Sequence, residues 1–141
     1  MNKHRHIGQR VPEVHSYAKI SGKAEYSADL QFSGMLQARI LRSPHAHARI
    51  LDIDVTRALQ VPGVVTVMIA RDTPGVNYQA QIPDMPVLAK DKVRYVGDAV
   101  AAVAAESLEA ASAALKLIEV KYEPLPALLD PEEALKEGAP Q

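Results

Sequence analysis

The sequence predicts an α+β domain: a mixed, largely antiparallel sheet with one long packed helix and short capping helices. Three observations point there. Short segments such as Ala48–Val55 alternate apolar and polar residues with the period of a half-buried strand. Residues 107–118 switch to helical spacing, with Leu108, Ala111, Leu115 and Ile118 recurring on one side. Strands and helices do not alternate regularly along the chain, which disfavours a doubly wound parallel sheet.

Taken in order, residues 1–16 read as a flexible N-terminal arm and 17–141 as the folded domain. Gly8, Pro12 and scattered charges break any period in the arm, and its His4 and His6 read as a disordered polar start rather than a metal tail. Ala24–Leu30 is expected to be a weak strand and Gly34 a turn. Met35–Ser43 places Leu36, Ala38, Ile40 and Arg42 on one side of a strand, which stops at Ser43-Pro44. In Ala48–Val55 the residues Leu51, Ile53 and Val55 share a face opposite Asp52 and Asp54. Thr56 is the expected N-cap of a helical turn over Arg57–Gln60, ended by Pro62-Gly63.

The β-branched run Val64–Ala70 reads as a central strand covered on both faces. Arg71–Lys92, interrupted by four Pro or Gly residues (Pro74, Gly75, Pro83, Pro86), reads as a long loop. Val93–Val96 is a short strand, Gly97-Asp98 a turn or bulge, and Ala99–Ala105 a strand whose small side chains admit close packing. Ser107 is the expected cap of the long helix, with Glu109 in its first turn. Glu119–Tyr122 alternates as a strand that Pro124 and Pro126 close. Asp130-Pro131-Glu132-Glu133 has the form of a capping box, with the helix Glu132–Glu137 ending at Gly138.

Composition excludes several classes. A chain of 141 residues, 48% hydrophobic, is long enough for one core without staples. With no Cys there are no disulfides, thiolate zinc sites, iron–sulfur ligands or cysteine nucleophiles. Sixteen Lys plus Arg against 17 Asp plus Glu, a net charge of -1, argue against a broad nucleic-acid surface. The polar start has no apolar stretch behind it, and the longest apolar run, Ala99–Ala105, is too short to span a bilayer. The expectation is a cytoplasmic protein without membrane contact.

Chemistry-bearing motifs are sparse. No phosphate loop, dinucleotide fingerprint or Gly-x-Ser-x-Gly elbow is present. Asp52 with Asp54, and Glu132 with Glu133, read as a strand face and a helix cap rather than acid/base pairs. His45-Ala46-His47 is the one suggestive cluster, because two His at i, i+2 on a strand share a face and can share a metal. No third ligand is identifiable, so polar surface or an interface is the stronger reading. Arg42 and Arg49 flank this turn. The candidate interdomain interface is therefore Arg42, Ser43, Pro44, His45, His47 and Arg49, with the Pro83–Lys92 loop as a second stretch. No catalytic, cofactor-binding or metal-ligating residue is assigned.

Three strings carry a resemblance: VPEVHSYAKISGKAEYSADL from Val11, Ile40 to Gly75 with its Ser-Pro-His-Ala-His-Ala, and Pro86 to Leu135 with Lys-Val-Arg-Tyr-Val-Gly-Asp and Tyr-Glu-Pro-Leu-Pro. In this order, over nearly the whole chain, they resemble the N-terminal a/b hammerhead domain of the molybdenum-binding large subunit in the xanthine dehydrogenase/aldehyde oxidase family. The resemblance implies an α+β domain within a hydroxylase of aldehydes, purines or other N-heterocycles. Its full enzymes use a molybdenum-pterin dinucleotide and pass electrons through iron–sulfur clusters, often to FAD, on other domains or subunits. The family's pterin contacts and catalytic Glu lie downstream of this domain. The expectation is a structural and docking domain, not catalytic alone. Its partners would be the remaining molybdenum-binding region and the iron–sulfur and flavin subunits or domains. The alternative is a free-standing module that binds a small ligand or metal.

Overall fold

The computed structural model describes residues 7–8, 10, 12–79 and 81–139. They fall into two compact units, 1–33 and 34–141. His4 and His6 lie outside the described residues.

In the first unit a short helix α1 (Ser16–Ile20) is held by Glu13, whose carboxylate accepts from the Ser16 hydroxyl at 2.8 Å and the Lys19 ammonium at 2.7 Å. Both partners hold the Glu13 carboxyl below its usual range. The strand expected over Ala24–Leu30 is not formed. Ser27–Asp29 makes a single 3-10 turn instead, closed by the Asp29 carboxylate accepting the Tyr26 N–H at 2.9 Å. A short carboxylate that bonds its own backbone competes with a ladder, and here it wins.

The second unit runs β1 (Gln37–Arg42), β2 (Ala48–Asp54), α2 (Thr56–Leu59), β3 (Val64–Ile69), β4 (Asn77–Tyr78), β5 (Met85–Pro86), β6 (Lys92–Val93), β7 (Ala99–Ala105), α3 (Leu108–Leu115), β8 (Glu119–Pro124) and α4 (Pro131–Ala134). Two three-stranded sheets, β1-β7-β3 and β6-β2-β8, and the hairpin β4-β5 are antiparallel throughout. The fold is α+β, as expected. No helix among the described residues is long and apolar enough to cross a membrane.

The strand at the centre of the first sheet is not β3 but β7. The β-branched run lies at an edge, with Val65 and Met68 exposed. β7 has the centre because Ala101, Val103 and Ala105 are all but inaccessible, and Ala leaves room for α3 to lie close on them. Ala111 and Ala114 are the buried residues of α3, so helix and strand meet through methyl groups. The helix is only eight residues long. Ser107 caps it as expected, its Oγ accepting the Ala110 N–H at 3.1 Å, and Glu109 in the first turn has its carboxyl lowered by backbone and Ser107 hydrogen bonds. Ile118 packs into the same core but lies beyond the helix.

In β2 a bulge between Ile50 and Asp52 breaks the alternation. Leu51 turns out, 60% exposed, while Ile50 and Ile53 pack inward beside Ala48, Val93 and Val100. The expected face of Leu51, Ile53 and Val55 therefore loses Leu51. At α2 the cap residue is Val55 rather than Thr56, and Asp54 Oδ1 accepts the Thr56 N–H at 2.8 Å. The hydrogen bonds from Thr56 hold the Asp54 carboxyl below its usual value.

Arg71–Lys92 is not featureless. It contains a 3-10 turn at Ala70–Asp72 and the β4-β5 hairpin, and it ends with Leu88 and Ala89 in the core. The strand expected over Val93–Val96 is the two-residue β6. α4 stops at Ala134. Asp130 caps it by accepting from the Glu132 and Glu133 N–H groups, but the reciprocal half of a capping box is replaced by an ion pair of Glu133 with Lys136 at 2.5 Å.

Candidate functional site

The Ser43–His47 turn joins β1 to β2 and is irregular, not strand. Ser43 anchors it and is the one polar residue buried among those described, at 3% exposure. Its N–H donates to the Asp98 carbonyl and its own carbonyl accepts from the Gly97 N–H, both at 2.8 Å. Its hydroxyl accepts the His45 N–H and donates to the His45 carbonyl, each at 3.0 Å. Arg42 reaches the same Gly97-Asp98 turn, Nη1 donating to the Gly97 carbonyl at 2.8 Å. Gly97, at φ +96°, adopts a backbone that a side chain would strain. Pro44 stays exposed on this fixed loop.

The two histidines engage different partners. The His45 ring meets Tyr122 of β8 edge to face, centroids 4.8 Å apart. Burial pushes the Tyr122 phenol up, opposed by the Ser43 hydroxyl and reinforced by the charge of Asp98. His47 Nδ1 lies 2.7 Å from the Pro126 carbonyl. A carbonyl only accepts, so Nδ1 carries the proton. The strand geometry that would align the rings for a shared ion is absent. Among the described residues no three His, Asp or Glu side chains converge on a metal position.

Arg49 is committed within the domain, ion-paired with Glu123 directly across β2 and β8. On its other side Arg49 faces Lys92 of β6. The row Lys92–Arg49–Glu123 thus holds two cations and one carboxylate. Like charges directly opposite are unfavourable, and Glu123 offsets only one of them. Among the described residues neither Lys92 nor Arg94 enters an ion pair.

Next to the turn opens a cleft of about 580 Å³. Its lining combines the basic residues His47, Lys92 and Arg94 with the apolar Val96, Pro126, Leu128 and Leu129. Of the six predicted interface residues only His47 lines it. The Pro83–Lys92 stretch contributes Lys92 alone. Sequence reasoning missed Tyr122, Pro126 and Arg94 and reached Lys92 only as the end of the second stretch. The alternating cations of Lys90-Asp91-Lys92-Val93-Arg94 were a usable signal, whereas the contacts of Tyr122 and Pro126 depend on pairing far along the chain.

A second open feature is the outer face of the first sheet. Ile40, Ala102 and Met68 form one cross-strand row and Ala38, Ala104 and Thr66 the next. Ile40 and Met68 remain 45% and 39% exposed.

Comparison with known proteins gives consistent matches. The family described as aldehyde oxidase and xanthine dehydrogenase, a/b hammerhead domain, matches residues 21–126. A probable xanthine dehydrogenase subunit of Bacillus subtilis is 48% identical over 122 residues, 86% of this chain and 16% of that protein. The nicotinate dehydrogenase large molybdopterin subunit of Eubacterium barkeri is 38% identical over 95% of this chain and 32% of its own length. Among solved structures, quinoline 2-oxidoreductase from Pseudomonas putida 86 superposes with a TM-score of 0.83 at 40% identity, over 92% of this chain and 18% of that one. The chain thus spans at most about a third of each of these relatives.

Proposed function

The chain belongs to the aldehyde oxidase and xanthine dehydrogenase a/b hammerhead family, and we propose that it serves as the docking domain of a molybdenum hydroxylase large subunit, without turnover of its own. One observation carries this reading: relatives match almost all of this chain, yet the match is a small part of them. A stretch embedded in a much larger polypeptide needs surfaces for its surroundings. The anchored turn of Arg42, Ser43, Pro44, His45, His47 and Arg49 is such a surface, with Pro44 presented on a loop that Ser43 holds. The open row of Ile40, Ala102 and Met68 also supports it, since exposed apolar rows mark places to be covered.

The chain has no Cys for iron–sulfur ligation. In this reading the pterin, the iron–sulfur clusters and FAD belong to the remaining molybdenum-binding region and to partner subunits, in a cytoplasmic enzyme. The chain supplies a fixed frame through its two cores. The purified chain, offered an aldehyde, a purine or an N-heterocycle with an artificial electron acceptor, is expected to show no turnover. Turnover by the chain alone overturns the proposal.

A further inference from the structure

We propose that the cleft beneath His47 is a receptor for an acidic peptide segment in which carboxylates alternate with aliphatic side chains, supplied by the surrounding large subunit. The inference rests on the docking reading and gives the partner's chemistry. Three features carry it.

The first is charge. The basic residues of the lining are His47, Lys92 and Arg94, and no Asp or Glu lines the cleft. Of the acids near these cations, Glu123 pairs with Arg49, the Asp98 carboxylate accepts the Arg94 backbone N–H at 3.1 Å, and Asp84 and Asp91 line a neighbouring hollow that Lys92 and Arg94 also border. Lys92 lies opposite a second cation across the strand pair. An incoming carboxylate relieves that repulsion, which a neutral partner does not.

The second is the apolar lining. Val96, Leu128 and Leu129 are 65%, 43% and 81% exposed beside these cations. An isolated carboxylate or phosphate covers none of them. A peptide whose side chains alternate between charged and aliphatic meets both kinds of lining at once. The third is rigidity: the two lining segments around His47 and Pro126 are tied together where Nδ1 of His47 donates to the Pro126 carbonyl and the Leu125 N–H donates to the His47 carbonyl at 3.0 Å. A preformed cleft lowers the ordering cost of binding.

The test titrates the chain against a dye-labelled hexapeptide of alternating leucine and aspartate, followed by fluorescence anisotropy. Its asparagine counterpart and succinate serve as comparisons. Saturable binding of the acidic peptide is expected, at least tenfold tighter than either comparison and weakening as salt rises. The double variant K92E/R94E should lose at least tenfold. It places a Glu opposite Arg49, a favourable cross-strand pair, so the fold is retained. L129D should also weaken binding, and R39E, outside the cleft, should not. Absence of binding, equal binding of the asparagine peptide, or an unchanged K92E/R94E variant overturns the proposal. Its failure is separable from that of the docking reading. A chain that joins the rest of a large subunit equally well with K92E/R94E sinks the cleft alone. A chain that binds the peptide but not the large subunit sinks the docking reading alone.

Discussion

His47 Nδ1 donates a 2.7 Å hydrogen bond to the carbonyl of Pro126, 79 residues further along the chain. It fastens the β1–β2 turn to the segment leaving β8, and both of its residues line the cleft. His47→Ala should cost about 1 kcal/mol, the usual net worth of one neutral hydrogen bond. Urea denaturation measures the loss. Hydrogen exchange should speed up at residues 127–129 and stay unchanged in α3.

Ser43→Ala removes a buried hydroxyl that serves both the N–H and the carbonyl of His45. The expected cost is about 1–3 kcal/mol, because buried partners are left unsatisfied. Pro44, exposed one position on, should tolerate Ala within about 0.5 kcal/mol. Equal effects at the two positions in thermal denaturation would contradict the anchoring role of Ser43.

Ala111 lies at 0% exposure in the helix facing β7. Ala111→Leu forces a larger side chain between two closely spaced backbones and should destabilise by about 1–3 kcal/mol. The same change at Ala113, exposed on α3, should be near neutral. Chemical denaturation of the two variants separates them.

Asp54 and Glu109 are held below their ordinary values of 3.8 and 4.5 by hydrogen bonds to the ionised form. A depressed folded-state value means the unfolded chain binds the proton more readily. Their contribution is therefore complete above those ordinary values and is lost as pH falls through the lower folded ones. Urea midpoints measured from about pH 7 to about pH 3 should decline at the acid end of this range. Asp54→Asn, which still accepts the Thr56 N–H, should flatten that decline.

What was legible in the sequence is what depends on neighbours. Ser107 and Asp130 cap the helices expected of them, because a cap needs only the next few residues. Central against edge placement was not legible. The run of Val64–Ile69 has the stronger strand propensity, yet Ala99–Ala105 has the centre, since the narrowness of Ala counts only once α3 is placed above it. The bulge at Leu51 is equally non-local, set by the register of β2 on β8. At the candidate site the turn was readable from Ser43-Pro44, but the partners of its histidines, Tyr122 in β8 and Pro126 just after it, lie more than seventy residues away.

The docking role is tested most directly by adding the 141-residue chain to a relative's large subunit from which the matching stretch has been removed, and weighing the products by light scattering on a sizing column. The account predicts a one-to-one complex, weakened by charge reversal at Lys92 and Arg94. Separate elution of a folded chain and the shortened large subunit would contradict it.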